Sequence, residues 1–160
     1  MKRIFLFAVM AASLSAHTQV SRVSLQASGL TCSMCSNAIN KSLRTLDFVQ
    51  AVDADIRTYT FEISFNQGAE VDFDLIKKKV EDAGFSITSF VATIHFENVP
   101  YTPGVPVTIA NKSFVFTDFR GPSIDGARKV RLLDRGFVSS KEYKKNHYPV
   151  LANHTYNASL

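Results

Sequence analysis

Gly29-Leu30-Thr31-Cys32-Ser33-Met34-Cys35 runs straight into Ser36-Asn37-Ala38-Ile39-Asn40-Lys41-Ser42-Leu43, and the reading of this stretch decides the fold. It holds both cysteines of the 160-residue chain. A glycine-led loop precedes them and a helical pattern follows, with Ile39, Leu43 and Leu46 recurring at spacings of four and three on the face that Cys35 begins. This places Cys32 in the loop and Cys35 on the first helical turn. A Cys-x-x-Cys wrapped around a helix start lets both sulfurs converge on one point. The unpaired N–H groups and the dipole of the helix N-terminus favour thiolate over thiol. Two converging thiolates make either a soft-metal site or a redox dithiol.

On either side of this stretch the pattern alternates. Val23, Leu25 and Ala27 predict a half-buried strand ending at Gly29, and the first helix is expected to reach about Leu46. Val52, Ala54 and Ile56 alternate with Asp53 and Asp55 in a second strand. Arg57-Thr58-Tyr59-Thr60 reads as a hairpin, and Phe61, Ile63 and Phe65 form a third strand. Asp72 is placed to cap a second helix with Phe73, Ile76, Val80 and Ala83 on one face, and Gly84 supplies a left-handed stop. A fourth strand starts at Phe85. The order from Val20 to about Phe90 is βαββαβ, the plan of an α+β ferredoxin-like sandwich with a sheet backed by two helices.

Residues 20–92 resemble the heavy-metal-associated domain family, the module of copper chaperones, of the N-terminal extensions of copper-transporting ATPases and of periplasmic mercury-binding proteins. The resemblance rests on Gly29-Leu30-Thr31-Cys32-Ser33-Met34-Cys35 with Ile39 and Leu43, and on Glu81-Asp82-Ala83-Gly84-Phe85 about fifty residues on. It implies that Cys32 and Cys35 are metal ligands and that Phe85 lies beneath the metal loop. The family's usual methionine is replaced here by Leu30, a position that packs under the loop and is not a ligand. It also implies either carriage of an ion to a membrane metal-transporting ATPase or efflux component, or its sequestration; no histidine, carboxylate or serine is placed with the cysteines by spacing, so no catalytic role is expected.

Beyond the fourth strand, Phe90 to Val99 alternates as a long strand would. Pro100-Tyr101-Thr102-Pro103-Gly104 is a turn. Val105 to Ile109, Ser113 to Phe119 and Arg128 to Leu133 read as strands, and Lys141 to Lys145 as a helical turn. The tail after Pro149 is expected to lack order. Residues 93–160 are therefore read as a small antiparallel β-rich region of no recognised family.

The chain opens Met1-Lys2-Arg3, followed by the apolar run Ile4 to Ala12 and the small residues Ser13-Leu14-Ser15-Ala16. Residues 1–16 have the form of a signal peptide, so the expectation is a secreted or periplasmic protein with no membrane insertion after cleavage. Removing Lys2 and Arg3 takes the formal charge from +4 to +2, which argues against a nucleic-acid partner.

Two thiolates suit Cu(I) first, and Hg(II) or Zn(II) as further ions. A closed structural zinc site takes four ligands, and His95, His147 and His154 are distant in sequence and expected at the surface. Were cleavage to fall after Ala16, the amine and imidazole of His17 would form a chelate suited to Cu(II). A two-ligand loop site leaves coordination positions open, so a partner's thiolate can attach before the first one leaves. Three other readings stay open. One is a thiol-disulfide redox protein, against which stand the absence of tryptophan and the two successive strands after the first helix. Another is a structural disulfide, although so short a loop removes little chain entropy. The third is a sensing or docking module serving the β-rich region.

Overall fold

Val20 and Val23 are both buried although three residues apart, because a β-bulge between Val20 and Arg22 restores the phase of the first strand. The computed structural model describes residues 20–30, 33–152 and 154–160. The expected leader at 1–16 and His17 lie outside the described residues. Eleven elements follow in chain order: β1 (Val20–Ser28), α1 (Ser33–Leu43), β2 (Val49–Asp55), β3 (Thr60–Phe65), α2 (Phe73–Asp82), β4 (Ser86–Pro100), β5 (Val107–Ile109), β6 (Lys112–Phe116), β7 (Ser123–Leu132), α3 (Ser140–Asn146) and β8 (Thr155–Ser159). All eight strands form one sheet in the order β2-β3-β1-β4-β7-β8-β6-β5. Among the described residues no helix is long and apolar enough to cross a membrane.

The first six elements form the ferredoxin-like sandwich. Ile39 and Leu43 of α1, and Phe73, Ile76 and Val80 of α2, face the sheet and are fully buried. The Ser42 hydroxyl donates to the Lys79 carbonyl and ties the two helices together. α1 ends at Leu43, short of the expected Leu46: the amides of Thr45, Leu46 and Val49 bond three residues back, so a tighter turn carries Leu46 into the core. β2 ends at Asp55, and Ile56 is half exposed, because on this outer strand only Val52 is fully buried. α2 has the expected ends. Asp72 accepts from the Leu75 amide at 3.0 Å. The Gly84 amide donates to the Glu81 carbonyl and the Phe85 amide to that of Val80, a Schellman closure made available by Gly84 at φ +90°.

β4 is the hinge of the architecture. Of its fifteen residues, Ser86 to Ile94 pair with β1 on one side and Val91 to Pro100 with β7 on the other. The sheet thus continues from the ferredoxin-like unit into the β-rich region. β5 and β6 form a hairpin through Ala110 and Asn111, both at positive φ as a mirror-image two-residue turn requires. The β-rich region pairs antiparallel except for β6 with β8, which is parallel.

The tail after Pro149 corrects the sequence-based expectation. β8 enters between β7 and β6 with Tyr156, Asn157 and Ala158 buried. Its sequence shows no apolar alternation, because its middle residue is a buried asparagine held by polar partners. The Asn157 side chain donates to Asp134 at 2.6 Å and to the Pro149 carbonyl at 2.8 Å. The core is continuous as well. Phe73 lies 5.2 Å from Phe90 and 5.7 Å from Tyr156, and Phe137 lies 5.1 Å from Phe90, centroid to centroid.

Candidate metal centre

β1 delivers the chain to Gly29, where φ is +86°, a conformation that costs other residues about 1–2 kcal/mol. A Cβ there would stand 3.7 Å from the Phe85 ring, an ordinary contact, so the glycine is required by the turn and not by crowding. Leu30 follows and is buried, as expected for a residue packed under the loop. Phe85 arrives from the opposite direction, directly after the Schellman turn of α2, and packs against the core beside Gly29. The aromatic floor is therefore set by two glycine-dependent turns meeting at one end of the sheet.

Cys35 occupies the first turn of α1, half-buried and in contact with the core, as the spacing from Ile39 predicts. Cys32 lies outside the described residues. Met34 points into solvent at 79% exposure, which leaves its thioether away from the core side of the helix. Ser36 was not singled out by sequence reasoning. It is buried next to Cys35, and its hydroxyl has no hydrogen-bond partner among the described residues. No pattern in the sequence signals it, since an alternation test treats serine as polar and exposed.

The histidines stand where the sequence places them. His95, His147 and His154 are all exposed. Among the described residues no group of three or more His, Cys, Asp or Glu side chains gathers into one cluster. What sequence reasoning missed is a polar network joining α2 to β8. Asp74 accepts from Lys77 at 2.7 Å and from the Tyr156 hydroxyl at 2.8 Å. Burial disfavours its charged form, but these two bonds outweigh it and hold the carboxyl below its ordinary value. Burial pushes Asp134 the other way, against its bonds from Asn157. Burial and then the Asp74 contact raise the Tyr156 hydroxyl well above the usual phenol range. Burial lowers the Lys112 ammonium despite Asp72, Glu70 and Asp74 nearby.

Comparison with known proteins adds a family. Residues 24–86 match the model of the heavy-metal-associated domain. The chain is 40% identical over 63 residues to a copper-transporting ATPase of Saccharomyces cerevisiae, covering 39% of this chain and 6% of that protein. It is 30% identical over 73 residues to a probable copper-exporting P-type ATPase of Archaeoglobus fulgidus, covering 46% of this chain and 9% of that one. The chain thus spans under a tenth of the length of these two relatives. Among solved structures, the yeast copper transporter domain Ccc2a is 37% identical, with 42% of this chain and 90% of that chain covered and a TM-score of 0.38. The matched span runs from Ser24 within β1 to Ser86, the first residue of β4.

Proposed function

We propose that this chain binds one Cu(I) ion through Cys32 and Cys35 and either hands it to a membrane copper transporter or sequesters it. The observation that carries the reading is Cys35 on the first turn of α1, half-buried against the core, inside a segment that matches the heavy-metal-associated family model. The copper named in the two ATPase relatives is what favours copper over other soft ions. Cu(I) accepts two soft sulfur ligands, and its remaining positions stay open to a third. Transfer then proceeds by ligand exchange: a partner thiolate joins the ion, one of this chain's thiolates leaves, and copper is never released to water. The leader-like residues 1–16 support work outside the cytoplasm, in a secreted or periplasmic location, with the ion as cargo and no catalytic step.

The test is an anaerobic titration of the full reduced chain with Cu(I) against a chromophoric competing chelator. One equivalent is expected to bind, and Cys32→Ser and Cys35→Ser are each expected to abolish competition. Parallel titrations with Hg(II) and Zn(II) establish the order of preference. Binding that survives both substitutions together overturns the reading.

A further inference from the structure

A hydroxyl taken out of water without a new partner destabilises the fold, so native chains seldom keep one. Ser36 is such a case. It is 3% exposed, and its Oγ has no hydrogen-bond partner among the described residues. Asn157 Oδ1 is also unpaired, but the amide nitrogen of that side chain holds Asp134 and the Pro149 carbonyl. Ser36 makes no compensating bond of that kind.

Packing does not call for a serine here. Ser36 is the fourth residue of α1 and lies on its buried face with Ile39 and Leu43. Alanine fits the same space, forms helix better and carries no polar atom to leave unpaired. A serine inside a helix ordinarily rests its hydroxyl on a carbonyl three or four residues back, and no such bond is made among the described residues. The hydroxyl therefore serves neither the core nor the helix.

Helical side chains lean toward the N-terminus of their own helix, over the residues three and four positions earlier. For Ser36 those positions are Ser33, which is exposed, and Cys32. A thiolate bound to a metal keeps lone pairs that accept hydrogen bonds, and bonds to a charged acceptor are the strong ones.

We propose that Ser36 is a positioning residue of the metal centre, whose hydroxyl donates a hydrogen bond to the Cys32 thiolate once copper is bound. The group is an orphan in the copper-free chain and is satisfied in the loaded one, so it favours loading at the expense of copper-free stability. This rests on the function proposed above. Binding that survives loss of both cysteines defeats that function, whereas binding that needs the cysteines and ignores Ser36 defeats this inference alone.

The test compares the full chain with Ser36→Ala and Ser36→Thr. Copper-free melting is followed by far-UV circular dichroism, and Cu(I) affinity by anaerobic competition with a chromophoric chelator. Ser36→Ala is expected to melt about 3 °C higher without copper, because the unpaired atom is gone. The same variant is expected to bind Cu(I) about tenfold more weakly. Ser36→Thr keeps the hydroxyl and is expected to hold Cu(I) within about twofold of the parent chain. Equal Cu(I) affinity in Ser36→Ala, an equal loss in both variants, or a copper-free Ser36→Ala that melts no higher than the parent each overturns the proposal. Ser36→Ala removes a single heavy atom, so both of its readings stand even where the threonine methyl is not accommodated.

Discussion

Replacing Phe137 with alanine is expected to destabilise the whole chain, including the end that carries the metal loop. Phe137 is 1% exposed and sits where the β7–α3 connection meets the ferredoxin-like core. Its ring meets Phe90 edge-on at 5.1 Å and Tyr156 at 5.7 Å, and the Lys77 ammonium lies 4.7 Å above it. Truncation leaves three partners facing a void, and fully buried Phe→Ala changes cost about 3–5 kcal/mol. For a chain of this size that lowers the melting temperature by on the order of 10 °C. Phe90 belongs to β4, which pairs with β1, so the loss is expected in amide protection at Leu25, Ile39 and Leu43 as strongly as at Phe116. The assay is urea denaturation followed by far-UV circular dichroism and tyrosine fluorescence, with residue-resolved hydrogen exchange. A loss below about 1 kcal/mol, or one confined to residues after Pro100, refutes the claim of a shared core.

Asn157→Ala removes both side-chain bonds of a buried asparagine and leaves Asp134 with one partner fewer; a loss of about 2–3 kcal/mol is expected in the same denaturation assay. Gly29→Ala is expected to cost about 1–2 kcal/mol through its positive φ and to weaken Cu(I) competition while far-UV dichroism stays unchanged. The folded-state carboxyl of Asp74 lies below its ordinary value of 3.8, so its contribution is complete above that value and is lost as pH falls through the folded one. Asp74→Asn is therefore expected to lower the melting temperature at neutral pH and to narrow its gap from the parent chain below about pH 4.

The sequence was legible wherever a side-chain period or a cap reports burial directly. Phe61, Ile63 and Phe65, the Asp72 cap, the Gly84 stop and Cys35 on the first turn of α1 all stand where local pattern puts them. It was illegible where burial is achieved by polar pairing between distant segments. Lys112 reads as a turn residue, yet it begins β6 at 4% exposure with its ammonium 5.3 Å from the Phe73 ring. Asn157 reads as part of a loose tail, yet Asp134, 23 residues earlier, accepts from its amide and its side chain. Neither pairing has a period, because each depends on a strand order that brings β8 between two earlier strands, and one of those contacts is parallel. The same arrangement gives the Leu133 amide the Asn157 carbonyl as its partner, while β7 pairs β4 only from Val91 onward and an open cleft lies along Ser86, Ile87 and Thr88. A β-rich extension that covered all of β4 would leave no such opening, and this one stops at Val91.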